Sequence, residues 1–258
     1  MSDKAHRKSP LTDRPLRNPG QSLDERLDAL LNDDAAILAL IPLILWLVAG
    51  LEWFASWRGL PRMPIVYAAM ALIASGYAGW RLWRMKEQIR TLKLGRDGER
   101  AVGQFLELMR EAGAKVFHDV IADGFNVDHV VIARQGVFVI ETKTWMKRGP
   151  KSQITVREGE LYKDGHRLDP NPLVQAIAEG KWLSRILTES TAKPMSAWPV
   201  VLFPGWFVQP MDDATRQKGW VLSARAFPGF MEKEPIRLEA SDVALFAFHL
   251  SRIIRAAG

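Results

Sequence analysis

Charged residues are absent from two long stretches near the start of the chain, residues 35–51 and 64–80. Each stretch is close to the roughly 17-residue minimum for a helix that crosses a bilayer, and tryptophans lie in or beside both, several at the edges where membrane proteins place aromatic side chains. Because only residues 52–63 connect them, the pattern predicts an antiparallel pair of transmembrane helices within residues 35–83. A buried helical hairpin of a soluble protein is the alternative interpretation.

The segments on either side of this hairpin are polar. Residues 1–34 mix both signs of charge without a secretory pattern, so we expect a mostly disordered tail with a short amphipathic helix near residues 23–31. Residues 84–94 form a basic linker within a segment rich in Lys and Arg. The positive-inside rule then places the tail and the domain after the hairpin in the cytoplasm, which predicts a multi-pass protein of the inner (cytoplasmic) membrane.

Shorter apolar patterns characterise residues 95–258, which we expect to form one domain. Within residues 126–145, two runs rich in Val and Ile flank a polar turn at residues 134–136, which is typical of a β-hairpin. Similar patterns predict helices at 95–111, 172–189 and the chain end, strands at 114–121, 198–203 and 219–224, and a small extra hairpin at 154–163. This order of helices and strands predicts an α/β domain.

The composition narrows the class of partner. The net charge of +6 and the isoelectric point of about 9.6 favour a polyanion, either nucleic acid or anionic lipid. The absence of Cys excludes disulfides and thiolate metal sites, and it suits a reducing cytoplasm. The sequence also contains no Gly-rich phosphate loop of the Walker type and no Cys/His zinc pattern.

Two carboxylates and one ammonium can meet at the end of the predicted hairpin. Side chains alternate between the faces of a strand, so Glu141 and Lys143 point to the same side, and Asp128 joins them if the pairing places it beside Glu141. Close carboxylates repel each other unless a cation lies between them, and oxygen ligands suit Mg²⁺ or Mn²⁺. The lysine would then hold or polarise a water for attack on a phosphodiester. A solvated strand end is the alternative.

The triplet Glu141-Thr142-Lys143 is a weak motif alone, because so short a pattern arises by chance in a chain of this composition. A second copy at residues 179–181 lies in a predicted helix, and we expect it to have no role. Four separated motifs give the first copy its context: G-R-D-G-E at 95–99, D-H at 128–129, G-V-F-V-I-E-T-K at 136–143 and N-P-L-V-Q at 171–175. In this order they resemble the nuclease-related domain (NERD) family over roughly residues 95–205.

This resemblance implies a fold, an activity and a set of site residues. NERD belongs to the PD-(D/E)xK superfamily, whose restriction-endonuclease-like core is a mixed central sheet flanked by helices. The implied activity is that of a nuclease dependent on Mg²⁺ (or Mn²⁺), with Asp128 and Glu141 as metal ligands and Lys143 as a catalytic residue. Glu99 and Gln175 match the residues that complete the catalytic set in the family.

Glu99 and Gln175 each have an alternative interpretation. Glu99 is expected near the apolar stripe of its helix, where a carboxylate is costly unless it is paired, or at the rim of the stripe, where it reaches solvent. Gln175 either orients Lys143 or a water, or is a residue of the first helical turn without such a role.

Residues after the second strand are candidates for contact with nucleic acid. They are Trp145, Lys147, Arg148 and Lys151. An aromatic ring beside basic side chains suits a nucleic-acid backbone and its bases, although a solvated loop explains them equally well. His118 and His129 are interpreted as structural or phosphate-contacting residues, because they lack the spacing of metal ligands.

The sequence therefore predicts a membrane-anchored, metal-dependent nuclease that acts on DNA. One alternative is a non-catalytic module that binds nucleic acid or a partner at the membrane. Another is a membrane scaffold whose basic flank contacts anionic lipid.

Overall fold

The computed structural model describes residues 16–59, 63–122 and 124–257. The chain divides into two compact units. Within the described residues, one comprises 22–96 and the other comprises 16–21 together with 97–257.

Ser22–Arg96 is helical throughout most of its described length. Its helices are α1 (Gln21–Ala29), a π-helical segment (Leu30–Ala35), α2 (Ala36–Trp57) and the first part of α3 (Pro64–Glu107). Helix α1 lies where the amphipathic helix is predicted, and residues 1–15 of the predicted tail lie outside the described residues. Helix α3 runs without a break through the predicted linker, because residues 84–94 are mostly strong helix formers and include neither Gly nor Pro.

Helices α2 and α3 are long and apolar enough to cross a membrane. Their large apolar side chains point outward, as Leu47 and Ile73 do with 64% and 74% of their surface exposed, whereas Ala49 and Ala71 are buried. Trp46 Nε1 donates a hydrogen bond to Ser75 Oγ at 3.1 Å and so links the two helices. Small residues inside and large apolar residues outside are the pattern of paired membrane helices. Length and composition thus make both helices candidates for membrane spans.

The other unit is built around a five-stranded sheet of order β1-β2-β3-β7-β9. Its strands in chain order are β1 (Lys115–Ala122), β2 (Phe125–Ala133), β3 (Gly136–Thr142), β4 (Gln153–Arg157), β5 (Glu160–Lys163), β6 (His166–Arg167), β7 (Ala197–Phe203), β8 (Phe207–Val208) and β9 (Trp220–Ser223). Strands β1, β2 and β3 pair antiparallel, whereas β3, β7 and β9 are parallel. Parallel neighbours need a long crossover, and the chain between β3 and β7 supplies it.

Helices cover both faces of this sheet. They are the end of α3, α4 (Pro172–Thr191), α5 (Asp213–Lys218), α6 (Phe227–Glu232) and α7 (Ala240–Ala257). Val130 and Val139 face one core with Leu183 of α4 and Phe246 of α7. The alternate residues of the same strands face the other core, which the end of α3 completes. The predicted mixed α/β arrangement, with sheets flanked by helices, is therefore present.

The predicted extra hairpin is also confirmed, as β4 and β5 joined by a turn at Glu158 and Gly159. It belongs to a second sheet of order β6-β5-β4-β8. Strands β6 and β8 are absent from the sequence prediction because two residues are too few to show an alternating pattern. Helix α4 starts as predicted: Asn171 Oδ1 accepts a hydrogen bond from Leu173 N at 2.9 Å.

Candidate active site

The hairpin register brings Asp128 beside Glu141. His129 pairs with Ile140 in the β2–β3 ladder, so the next position of the register sets Asp128 opposite Glu141. Directly opposed residues share a face of the sheet, as the sequence prediction required. Asp128 Oδ2 also accepts a hydrogen bond from the Thr142 amide at 2.7 Å, which holds the carboxylate at the end of β3.

Lys143 completes the predicted group just after β3. Its ammonium forms an ion pair with Glu141 Oε1 and donates a hydrogen bond to Gln175 Oε1 at 3.1 Å. Gln175 lies in the first turn of α4, so the structure places it in contact with Lys143, as one of the two interpretations expected. An ammonium has three donors, and these two acceptors leave one for a water or a phosphate oxygen.

Glu179 is a member of this cluster that the sequence prediction missed. Gln175 Nε2 donates a hydrogen bond to Glu179 Oε1 at 2.9 Å, and Glu179 is only 2% exposed. The second acid-x-Lys copy, for which no role was expected, therefore places its acidic residue in the cluster. Two signals were available: Glu179 is four residues after Gln175, and it falls between Ala176 and Leu183 on the buried stripe of α4.

Glu99 approaches from helix α3 and is half-buried. It lies near enough to Asp128 for the two carboxylates to repel each other. The preceding residue, Gly98, allows this approach, because a Cβ atom there would lie 1.7 Å from Thr144 Oγ1. The structure thus brings all five predicted catalytic residues to the same end of the sheet.

Burial and mutual repulsion favour protons on these carboxyl groups. Burial, with repulsion from Glu141 and Glu99, holds the pKa of Asp128 well above its usual range. Burial raises the pKa of Glu141 despite the nearby ammonium, and burial and repulsion by Glu141 raise the pKa of Glu179 to about 9. For Lys143, burial opposes the charge, but attraction to Glu141 and Asp128 outweighs it, so the pKa is raised and the side chain stays protonated.

The donor set suits a hard divalent cation. Glu141 Oε2 and Glu179 Oε2 are buried, and neither has a hydrogen-bond partner among the described residues. Within the same residues, no group of three His, Cys, Asp or Glu side chains is arranged to hold a metal ion. Mg²⁺ usually keeps several waters and takes one or two carboxylates, so Asp128 and Glu141 would suffice as its protein ligands.

Comparison with known proteins supports the predicted family for this region. Residues 94–204 match the family model of the nuclease-related domain, NERD. The match includes every residue of the cluster, from Glu99 to Glu179. No curated protein and no solved structure matches the chain.

The residues proposed for nucleic-acid contact lie within the region that matches the NERD family model. Trp145 is half-buried; its ring packs against Phe203, and Lys163 Nζ lies 4.9 Å from its centroid. Lys163 also lies 5.5 Å from the ring of Trp206, whose Nε1 donates to the Trp145 carbonyl. The remaining three candidates are exposed: Lys147, Arg148 and Lys151. Lys163 of β5 was missed because it is 18 residues from Trp145 in the chain and reaches it only through the second sheet.

A buried histidine pair lies in the same unit. His118 Nδ1 is 2.9 Å from His129 Nδ1, and His118 Nε2 is 2.7 Å from Glu107 Oε1. His129 is fully buried, which supports the structural interpretation of this residue. Burial, followed by repulsion from His118, holds the pKa of His129 well below its usual range.

Acid should therefore destabilise the fold through His129. In the unfolded chain the His129 imidazole takes up a proton below about pH 6.5, whereas in the folded chain it stays neutral to a lower pH. The free energy of unfolding therefore falls as the pH drops below that value, by up to about 1.4 kcal/mol per pH unit. His129→Gln is expected to lose less thermal stability than the wild type between pH 7.5 and pH 5.5. His166→Gln, an exposed position on β6, is the control. An equal acid loss in His129→Gln and in the wild type would contradict the prediction.

Proposed function

We propose that the chain is a membrane-anchored nuclease in which the NERD domain hydrolyses phosphodiester bonds of DNA with the help of a divalent metal ion. The convergence of Asp128, Glu141 and Lys143 at the end of one hairpin carries this proposal. The family match to a nuclease-related domain and the basic charge of the chain agree with a nucleic-acid substrate. We further propose that the domain has the restriction-endonuclease-like fold of the PD-(D/E)xK superfamily.

Asp128 and Glu141 would hold Mg²⁺ or Mn²⁺. The bound ion would polarise a phosphoryl oxygen and offset the charge that develops on it. Lys143 is protonated, so it acts as a donor and not as the base: its Nζ holds the attacking water or a phosphate oxygen. Gln175 fixes the direction of the ammonium, and Glu99 adds to the negative charge around Asp128.

Helices α2 and α3 would anchor this domain in the inner membrane. Their outward-facing apolar surface and the basic residues between 81 and 96 support a multi-pass arrangement, with the N-terminus and the NERD domain in the cytoplasm. Lys147, Arg148 and Lys151 would contact the backbone of the bound nucleic acid, and the ring of Trp145 would contact its bases.

Cleavage by the full chain should require a divalent metal. The purified protein in detergent is incubated with plasmid DNA, single-stranded DNA and RNA, in Mg²⁺, in Mn²⁺ and with excess chelator. We expect DNA cleavage with either metal and none with chelator, because without a divalent cation the carboxylates of Asp128 and Glu141 would repel the phosphate. Metal-independent cutting would refute the proposed mechanism. Binding of DNA without cutting under all conditions would indicate the non-catalytic module.

A further inference from the structure

A cavity of about 630 Å³ lies at the carboxyl ends of the parallel β-strands β7 and β9. Its walls are the last turns of helix α3, the turn after β7 and the residues that end and follow β9. This volume falls within the range of about 300–1,000 Å³ that ligand pockets occupy, and open α/β sheets bind their ligands at this edge. None of the five candidate catalytic residues lines the cavity.

Two of these walls begin next to the candidate active site. The Lys143 amide donates a hydrogen bond to the Leu202 carbonyl at 2.9 Å, and the wall formed by the turn after β7 starts two residues later, at Pro204. On helix α3, Val102 of the cavity lies about one helical turn after Glu99. A DNA strand whose phosphate is held at Lys143 would therefore carry a neighbouring nucleotide to the cavity.

The lining combines aromatic rings with two polar side chains. Phe105 is half-buried against the core, and the indole N–H of Trp206 donates to the Trp145 carbonyl at 3.2 Å, so both rings are held in place. Ser223 is half-buried and Arg225 is exposed at the rim. Neither of these two side chains has a hydrogen bond or an ion pair within the described residues. The cavity therefore suits a flat aromatic group that has a polar edge and a negative charge beside it.

We propose that the cavity holds one unpaired base of the DNA strand that is cut. This inference rests on the proposed nuclease function. Phe105 and Trp206 would contact the rings of the base, Ser223 Oγ its polar edge, and Arg225 the adjacent phosphate. Every base has an aromatic face, so these contacts select an unpaired nucleotide and not a sequence.

The cavity therefore defines a class of substrate. A base within a duplex is stacked and paired, and it reaches a protein cavity only after it leaves the stack, which costs free energy. A single strand, or an unpaired end of a duplex, avoids this cost. We expect single-stranded DNA to be the preferred substrate, and an intact duplex to be cut more slowly.

Binding to a DNA strand that resists cleavage tests the cavity separately from catalysis. The fluorescence anisotropy of a labelled phosphorothioate single strand, and of the matching duplex, is measured with the full chain in detergent and Mg²⁺. Phe105→Leu keeps an apolar side chain but loses the ring, so it should weaken single-strand binding about tenfold and leave duplex binding unchanged. Phe105→Tyr keeps the ring and should bind like the wild type. Phe248→Leu, at an exposed position of α7, is the control and should change neither affinity.

Arg225→Gln provides a second variant, because replacing an exposed side chain has little effect on the fold. The loss of one phosphate contact should make the slope of log affinity against log salt concentration shallower by about 0.7 for the single strand. Arg252→Gln, which changes an exposed arginine of α7, should leave this slope as it is in the wild type. Equal slopes in Arg225→Gln and the wild type would overturn the placement of a phosphate at this rim.

Cleavage of a single strand that contains one abasic nucleotide locates the base. With the wild type, cuts at one fixed distance from the abasic position should be depleted about tenfold, and with Phe105→Leu they should not be depleted. Equal weakening of single-strand and duplex binding by Phe105→Leu, or no weakening, would overturn the inference, while DNA cleavage by the wild type would leave the nuclease proposal intact. Selective loss of single-strand binding in a protein that cuts no DNA would support the base cavity and refute the nuclease proposal.

Discussion

Replacing Lys143 with Ala is expected to lower the rate of DNA cleavage by about a hundredfold to a thousandfold, the usual cost of removing one preorganised donor from a transition state. Glu141 and Gln175 hold the ammonium in place, and the proposed mechanism assigns it the attacking water or a phosphate oxygen. The side chain is only 27% exposed and pairs with the buried Glu141, so its loss should also lower the stability of the fold. Single-turnover cleavage of a labelled duplex by the full chain measures the rate, and thermal unfolding measures the fold.

The second acid-x-Lys triplet supplies a matched control for this experiment. Lys181 has the same spacing from Glu179 as Lys143 has from Glu141, but it is exposed on α4. Lys181→Ala should therefore cleave DNA at the wild-type rate. If Lys143→Ala and Lys181→Ala cleaved equally fast, the activity would have to come from somewhere other than this hairpin.

Gly98→Ala should both destabilise the unit that contains the five-stranded sheet and slow cleavage. The added Cβ would lie 1.7 Å from Thr144 Oγ1 and 2.6 Å from Thr144 Cβ. Rotation of the threonine relieves only the first contact, so the end of α3 and the segment after β3 must move apart. Overpacking of this kind costs about 1–3 kcal/mol. Because Lys143 adjoins Thr144, the shift should also misplace the ammonium, and a displacement of about 1 Å can cost about a hundredfold in rate.

A helical glycine elsewhere in the same unit is the control. A Cβ atom at Gly229 of α6 meets no atom within 4 Å, so Gly229→Ala should leave the melting temperature unchanged or slightly higher. The double variant Gly98→Ala/Thr144→Gly removes the atoms that the new methyl group meets, and it should recover much of the lost rate. A wild-type melting temperature and rate in Gly98→Ala would contradict the close packing of α3 on this segment.

Local patterns were sufficient for the secondary structure around the site. The strands of the β2–β3 hairpin were predictable because two runs rich in Val and Ile flank a polar turn, whereas the register that sets Asp128 opposite Glu141 came from the structure. The start of α4 was predictable because Asn171 and Pro172 satisfy the geometry of a helix N-terminus through neighbouring atoms alone. Residues 84–94, which were predicted as a basic linker, are helical, because strong helix formers let α3 continue through them.

The amino-acid sequence by itself determined the apolar helices, the strands and polar turn of the β2–β3 hairpin, and the motifs that resemble the NERD family. These depend on interactions between residues close together in the chain, whose effects appear as periodicity and spacing. Only the tertiary structure decided that α4 presents Glu179 to Glu141, and that Gly98 lets α3 approach Thr144. Both facts depend on how separate elements pack at one end of the sheet. A carboxylate within a helical pattern does not reveal which distant strand it will face, so the fourth carboxylate of the site became visible only in three dimensions.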